Sequence, residues 1–137
     1  RTVINSNLGF TGEDRLENIR RIAEVSKLLI NTGMITICSF ISPTEEIRGM
    51  ARNIIGPKDF IEIFLNPPLE VCEQRDEKGL YARARAGEIK NFTGISDPYE
   101  QPDDAEIIID TTELSPQEAV QKVILHLAKE GFISLSE

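Results

Sequence analysis

The stretch Met34-Ile-Thr-Ile-Cys-Ser-Phe-Ile-Ser-Pro-Thr-Glu-Glu46 joins a short apolar run to the start of a polar segment. Its first part, Met34 to Phe40, is nearly continuous in apolar residues, which is typical of a parallel strand covered on both faces. Ser42-Pro43-Thr44-Glu45 then has the order of an N-cap, a proline at N1 and an acid at N3. We therefore predict a buried strand that leads into a helix capped by Ser42.

The same alternation of strand and helix continues on both sides of this stretch. Upstream, Thr11 has the form of a helix cap, and apolar residues at three- and four-residue steps predict one long helix that ends near Gly33. Downstream we predict strands over Phe60–Leu65 and Ala105–Ile109, a helix after Asn66-Pro67 between them, and a last helix capped by Ser115. This order predicts an α/β fold with a three-layer parallel sheet and right-handed crossovers.

The composition excludes some classes of function. A net charge of −8 disfavours nucleic-acid binding, which needs a basic surface. No run approaches the roughly 18 apolar residues of a membrane span, so we expect a soluble, cytoplasmic protein with no membrane partner. Cys38 and Cys72 lie among apolar residues, which favours buried, reduced thiols over a disulfide or a metal site.

The segment before the first helix combines residues that suit a nucleotide. Phe10 lies just before the helix, and Arg15 and Asn18 are three apart on one helical face. An aromatic ring can stack on a base, and an arginine fork can hold phosphate or sulfate. The alternative is a hydrophobic staple beside a solvated, charged helix face.

Two further segments could carry chemistry. Ser39-Phe-Ile-Ser-Pro43 lies where a strand leads into a helix, and ligands of open α/β sheets bind there near free N–H groups. Ser42 could be an N-cap, a ligand contact, or both. Residues 79–101 are basic, polar and irregular, so we predict a mobile lid in which Arg83 and Arg85 add positive charge near phosphate. An exposed basic loop is the alternative.

Seven segments, taken together and in order, resemble the adenylylsulfate kinases, which phosphorylate adenosine 5′-phosphosulfate with ATP. The resemblance covers nearly the whole chain. The segments are Asn5–Phe10, Asp14–Val25, Ser39–Pro43, Pro68–Cys72, Lys78–Tyr81, Ala84–Ile89, and Phe92–Ile95 with Asp97–Glu100.

The resemblance implies a set of substrate contacts. Arg1, Arg15 and Asn18 match residues that hold the phosphosulfate and ribose side of the substrate. Phe10 and Phe92 match the two aromatic residues that sandwich its adenine. The arrangement expected is therefore a base between two rings, with arginines at its anionic end.

Further roles follow from the same resemblance. Ile41, Ser42 and Lys78 match additional substrate contacts, and the loop around Thr112 and Leu114 falls where the family holds the ATP base. The serine equivalent to Ser42 is described as a phosphoserine position in bacterial members, which makes Ser42 the candidate catalytic residue. Direct in-line transfer needs no such intermediate, so we interpret Ser42 first as a positioning residue.

The sequence departs from the family pattern at two places. Ala82 stands where a lysine often follows Gly-Leu-Tyr81, so one lid cation is lost. The phosphate-binding loop Gly-x-x-x-x-Gly-Lys-Ser/Thr does not occur in these 137 residues. We therefore expect a P-loop nucleoside triphosphate hydrolase/kinase-like domain over residues 1–137, truncated at its N-terminus and inactive by itself.

The function implied is transfer of a phosphoryl group from ATP, with Mg²⁺, to the 3′-hydroxyl of adenosine 5′-phosphosulfate. A homodimer, and fusion to or association with an ATP sulfurylase, are also expected from the family. A domain that binds the nucleotide without catalysis and regulates a sulfurylase is the alternative from another class. A shikimate or nucleoside kinase is disfavoured by Phe92-Thr-Gly94 and Asn7-Leu-Gly-Phe10.

Overall fold

A computed structural model of the chain describes residues 3–135. After a short 3-10 helix at Val3–Asn5, the elements are α1 (Gly12–Ile30), α2 (Glu45–Ile55), β1 (Ile63–Leu65), α3 (Leu69–Gln74), α4 (Leu80–Arg85), β2 (Ile107–Ile109) and α5 (Pro116–Lys129). The described chain forms two compact units, residues 3–60 with 78–103 and residues 61–77 with 104–135. None of the helices in the described part is long and apolar enough to cross a membrane.

The core of the first unit lies between α1 and α2. Ile19 and Ala23 of α1 pack in one buried cluster with Ile47, Ala51 and Ile55 of α2. Full burial of a side chain as large as isoleucine stabilises a fold by about 1.5–3 kcal/mol, so this cluster fixes the two helices against each other. The predicted start of α1 is confirmed, because the Thr11 hydroxyl accepts a hydrogen bond from the backbone N–H of Asp14.

The N-cap of α2 is Thr44, so the prediction of Ser42 as its cap is wrong. Thr44 has an extended backbone and its hydroxyl accepts from the N–H of Ile47 at 3.3 Å. Ser42 has a φ of +44°, a left-handed conformation, whereas an N-cap residue is usually extended. The turn before the helix is thus two residues longer than the sequence pattern suggests.

The prediction of a strand over Met34–Phe40 is also wrong. None of these residues has strand pairing, and Ile37 is 91% exposed. A strand needs a hydrogen-bonded neighbour, and among residues 3–135 no segment pairs with this one. Cys38 is exposed as a result, contrary to expectation, and its sulfur lies 3.3 Å from the hydroxyl of Ser26.

The second unit contains the parallel sheet of the described chain. β1 and β2 pair in register, Ile63 with Ile107 and Leu65 with Ile109. Both strands fall inside their predicted ranges, which confirms a parallel arrangement joined through intervening helix. The predicted last helix is confirmed as α5, since Ser115 and Glu118 form a complete capping box.

Candidate functional site

Arg15 connects three separate parts of the first unit. Its Nε donates to the carbonyl oxygen of Phe10 at 3.1 Å, and its Nη1 donates to the hydroxyl of Thr93 at 3.1 Å. Its Nη2 donates to the carbonyl oxygen of Asn91. The planar guanidinium thus ties the residue Phe10 to the two residues that flank Phe92. One side chain thus joins Phe10 to the segment that carries Phe92.

Phe92 is held by one contact to its ring and by hydrogen bonds to its backbone. Tyr81 of α4 meets it edge-on, with ring centroids 5.0 Å apart and an angle of 72° between planes, a favourable aromatic geometry. The backbone N–H of Phe92 donates to the hydroxyl of Ser96 at 2.9 Å. Its carbonyl accepts from the N–H groups of Ile95, Ser96 and Asp97. Phe92 is therefore fixed inside the segment predicted to be a mobile lid, and mobility of that segment stays a prediction.

The other substrate residues of α1 and the opening segment differ in exposure. Phe10 is 65% exposed, whereas Asn18 is buried one turn after Arg15. Arg1 lies outside the described residues. These positions are consistent with a base at Phe10, and their contacts with substrate stay predictions.

A group of charged residues attaches the opening segment to α1. Arg21 donates to the carbonyl oxygen of Ile4 and, at 2.8 Å, to the side chain of Asn7. Its Nε lies 2.7 Å from the carboxylate of Glu17, which also pairs with Arg20 at 2.6 Å. Hydrogen bonds from Arg20 and then Arg21 lower the pKa of Glu17 to about 2. The segment that carries Phe10 is thereby anchored to the helix that carries Arg15.

The turn before α2 presents Ile41 and Ser42. Ile41 is 62% exposed and Ser42 is half-buried with its left-handed backbone. The N-terminus of α2, expected to offer free N–H groups to an anion, already has internal partners. The N–H of Glu45 donates to the carboxylate of Glu100 at 2.6 Å, while that of Ile47 donates to Thr44. The carboxylate of Glu100 therefore occupies part of the site where a ligand anion was expected.

The cationic residues of the predicted lid lie around α4. Lys78 is exposed just before the helix, and Arg83 and Arg85 are exposed in its last turn. Nε of Arg83 lies 3.1 Å from the carboxylate of Glu88. An exposed pair of this kind is weak, so Arg83 can exchange it for a phosphate at little cost.

The second unit carries the loop predicted to hold the ATP base. After β2, Asp110 accepts from the N–H of Thr112 at 2.8 Å and from its hydroxyl at 2.6 Å. These bonds, with a smaller contribution from the charge of Arg75, lower the pKa of Asp110. The N–H of Leu114 donates to the Asp110 carbonyl, and Arg75 holds the hydroxyl and carbonyl of Thr111. The loop is a tight, internally bonded turn at the carboxyl end of β2.

Three residues that shape these segments have no role predicted from the sequence: Arg48, Tyr81 and Glu100. Arg48 had a detectable signal, because it lies on the apolar side of α2 between Ile47 and Ala51, where a charged residue is unusual. Tyr81 and Glu100 fall in motifs of the family resemblance, but their contacts join residues far apart in sequence.

A shallow cleft of about 580 Å³ lies along α2 in the first unit. Three carboxylates line it, those of Glu45, Glu46 and Glu100, and these repel an anionic ligand. Within residues 3–135 no group of three or more His, Cys, Asp or Glu side chains is placed to hold a metal ion.

Comparison with known proteins gives a consistent result. Residues 1–110 match the family model described as adenylylsulphate kinase. An adenylyl-sulfate kinase of Bacteroides fragilis is 61% identical over 124 residues, which are 90% of this chain and 61% of that relative. The chain thus spans about three fifths of the length of this curated relative.

Two solved structures extend the comparison to the fold. An APS kinase of Mycobacterium tuberculosis in complex with AMPPNP and APS has a TM-score of 0.87 and 43% identity, covering 91% of this chain and 73% of that one. A hexameric APS kinase from Thiobacillus denitrificans has a TM-score of 0.66 and 30% identity, covering 95% of this chain and 21% of that one. The predicted P-loop kinase-like α/β fold class is confirmed.

Proposed function

This chain belongs to the adenylylsulphate kinase family, and from that premise we propose that the intact protein phosphorylates the 3′-hydroxyl of adenosine 5′-phosphosulfate with ATP. The products are ADP and 3′-phosphoadenosine 5′-phosphosulfate. Because the chain spans about 61% of its Bacteroides relative, the activity is assigned to the whole protein and not to these residues alone.

The observation that carries the proposal is the hydrogen bonding of Arg15 to Phe10 and to both neighbours of Phe92. One rigid guanidinium sets the separation of two segments, each with an aromatic ring. Base stacking needs such rings at a defined spacing, and each stacked base contributes about 1–3 kcal/mol. The arrangement supports an adenine site between Phe10 and Phe92.

The anionic end of the substrate requires cations, because the chain as a whole has a net charge of −8. Arg1, Arg15 and Lys78 take this role in the proposal, with Asn18 at the ribose. Arg15 keeps the arginine fork in place through its backbone contacts while its remaining N–H groups face a phosphate or sulfate oxygen. The local positive charge then offsets the unfavourable field of the acidic chain.

Ile41 and Ser42 lie beside the reacting end of the substrate in the proposal. Phosphoryl transfer in this class of enzyme depends on positioning and charge neutralisation, so Ser42 orients the substrate and forms no covalent intermediate. Arg83 and Arg85 add charge from α4 when the segment 79–101 closes over the phosphates. Thr112 and Leu114 take the ATP base.

ATP and Mg²⁺ complete the reaction. ATP supplies the transferred phosphoryl group, and the AMPPNP bound by the Mycobacterium relative supports an ATP site in the family. Magnesium in such kinases is held largely by phosphate oxygens and water, and it neutralises charge on the transferring group. No residue in the described part is assigned to the metal.

We further propose that the protein forms a homodimer and that it acts with an ATP sulfurylase, fused or associated. The hexameric Thiobacillus relative supports self-association. Light scattering of the intact protein measures the mass directly, and a monomer at micromolar concentration would contradict the dimer.

The experiment that tests the function is turnover by the intact protein with adenosine 5′-phosphosulfate, ATP and Mg²⁺. Phosphorus NMR identifies the product, and we expect a new monoester signal on the 3′-oxygen with equal release of ADP. Binding of the nucleotide without any turnover would instead identify the regulatory domain. Absence of both would remove the proposed function.

A further inference from the structure

The backbone at Ser42 is in an unfavourable conformation. Its φ of +44° lies in the left-handed region, where a side chain with a Cβ atom is disfavoured relative to glycine. Such residues persist only where the surrounding structure holds them, and they are concentrated at functional sites. The contacts that hold this turn are therefore informative.

Arg48 contacts residue 42 directly. Its Nη1 donates to the carbonyl oxygen of Ser42 at 3.0 Å. Arg48 is only 8% exposed, and it lies between the buried residues Ile47 and Ala51 in the part of α2 that packs against α1. Because the helix packs in the core and the Arg48 side chain is itself buried, the guanidinium has little room to move. The carbonyl of Ser42 is thus attached to the core of the first unit.

The next peptides of the turn are held from a different direction. The N–H of Glu100 donates to the carbonyl of Pro43 at 2.8 Å, and its carboxylate accepts from the N–H of Glu45. These bonds fix residues 43 to 45. The bond from Arg48 adds a constraint on the peptide between residues 42 and 43.

We propose that Arg48 is a positioning residue of the substrate site, which acts by holding Ser42 in its left-handed conformation. This inference rests on the proposed function, in which Ile41 and Ser42 contact adenosine 5′-phosphosulfate. Arg48 itself touches neither substrate. Its bond to the carbonyl fixes the direction in which the Ser42 hydroxyl and the neighbouring Ile41 backbone point.

Loss of this bond has a selective consequence. Residue 42 then relaxes toward negative φ, and the Ser42 hydroxyl and the Ile41 backbone move away from the substrate. The nucleotide triphosphate does not contact this turn in the proposal. We therefore expect the KM for adenosine 5′-phosphosulfate to rise about tenfold while the KM for ATP changes by less than about twofold.

The test compares Arg48→Met with Arg52→Met in the intact protein. Methionine keeps an apolar stem in the buried position but has no donor. Arg52 lies one turn further along α2, with its guanidinium 4.7 Å from the ring centre of Phe60, so its replacement is the matched control. We expect the KM for adenosine 5′-phosphosulfate to rise about tenfold in Arg48→Met and to be unchanged in Arg52→Met. In Arg48→Lys we expect it to stay about threefold above the wild-type value, because the ammonium donor of lysine replaces the guanidinium only in part.

The outcomes separate this inference from the proposed function. Normal wild-type turnover with equal KM values in Arg48→Met and Arg52→Met would overturn the inference alone. A wild-type protein that neither binds nor phosphorylates adenosine 5′-phosphosulfate would overturn the function and the inference with it. If Arg48→Met does not fold, Arg48→Lys decides the question: a rise of about threefold in that KM with an unchanged KM for ATP supports the role, and no rise contradicts it.

Discussion

The turn at Ser42 and the turn at Asn91 share one feature and differ in another. Each contains a non-glycine residue with positive φ, +44° at Ser42 and +55° at Asn91, and in each an arginine donates to the carbonyl of that residue. Arg48 is buried in α2, whereas Arg15 is half-buried and also contacts Phe10 and Thr93. The donating arginine thus lies in the core at one turn and among the proposed ligand contacts at the other.

This difference predicts that the two arginines contribute differently to stability, although both affect substrate binding, Arg15 by contact and Arg48 through the turn at Ser42. Removing a buried guanidinium leaves unpaired polar groups in the core, which affects stability. Removing a guanidinium at a ligand site mainly affects binding.

Arg48→Ala should lower the free energy of unfolding by about 2–3 kcal/mol, because it removes a charged donor and leaves a cavity beside Ile47 and Ala51. Arg15→Ala should lower it by about 1 kcal/mol, since its partners regain water. Urea unfolding of the intact protein measures both. If the two variants lose the same free energy of unfolding, the burial of Arg48 does not make its contribution to stability larger than that of Arg15.

Arg15→Ala should raise the dissociation constant of adenosine 5′-phosphosulfate about tenfold, since charge-assisted hydrogen bonds of about 1.5 kcal/mol are lost and the two aromatic segments separate. Arg20→Ala is the control, because Arg20 pairs with Glu17 on the same helix and has no proposed contact with substrate. If both variants bind like the wild type, Arg15 has a structural role only.

The sequence predicted these turns incompletely, for a physical reason. Local patterns determined α1, the capping box of α5 and the two strands, because caps and apolar periodicity act over a few residues. The bonds of Arg15 to Asn91 and of Glu45 to Glu100 join residues 76 and 55 apart, and no local pattern encodes them. The apolar run at Met34–Phe40 predicted a strand, but strand formation depends on a partner segment as much as on composition.

Glu100→Gln should lower the free energy of unfolding by about 0.5 kcal/mol at low salt, because a carboxylate at the N-terminus of α2 interacts favourably with the helix dipole. The amide oxygen of glutamine keeps the acceptor for the N–H of Glu45, so the loss is that of charge alone. Asp103→Asn removes one exposed charge nearby as a control. If the loss of unfolding free energy does not decrease with added salt, the interaction of this carboxylate with the helix dipole is contradicted.

The smallest effect concerns acid stability near Phe10. The pKa of Glu17 is lowered to about 2 in the folded chain from 4.5, so its ionised form stabilises the fold above pH 4.5 and this stabilisation is lost as the pH falls toward 2. Glu17→Gln should therefore flatten the fall of Tm between about pH 5 and pH 2.5. An unchanged pH slope would show that the pairing with Arg20 and Arg21 does not persist in solution.

In the proposed substrate site, Phe10 and Phe92 hold an adenine between them. Calorimetric titration of adenosine 5′-phosphosulfate into the intact protein tests it most directly, with Phe92→Leu compared to the wild type, since leucine keeps apolar volume but has no ring face. We predict that the wild type binds and that Phe92→Leu loses about 1–3 kcal/mol of binding free energy, with both proteins equally folded. Equal affinity of the two proteins would contradict the aromatic sandwich.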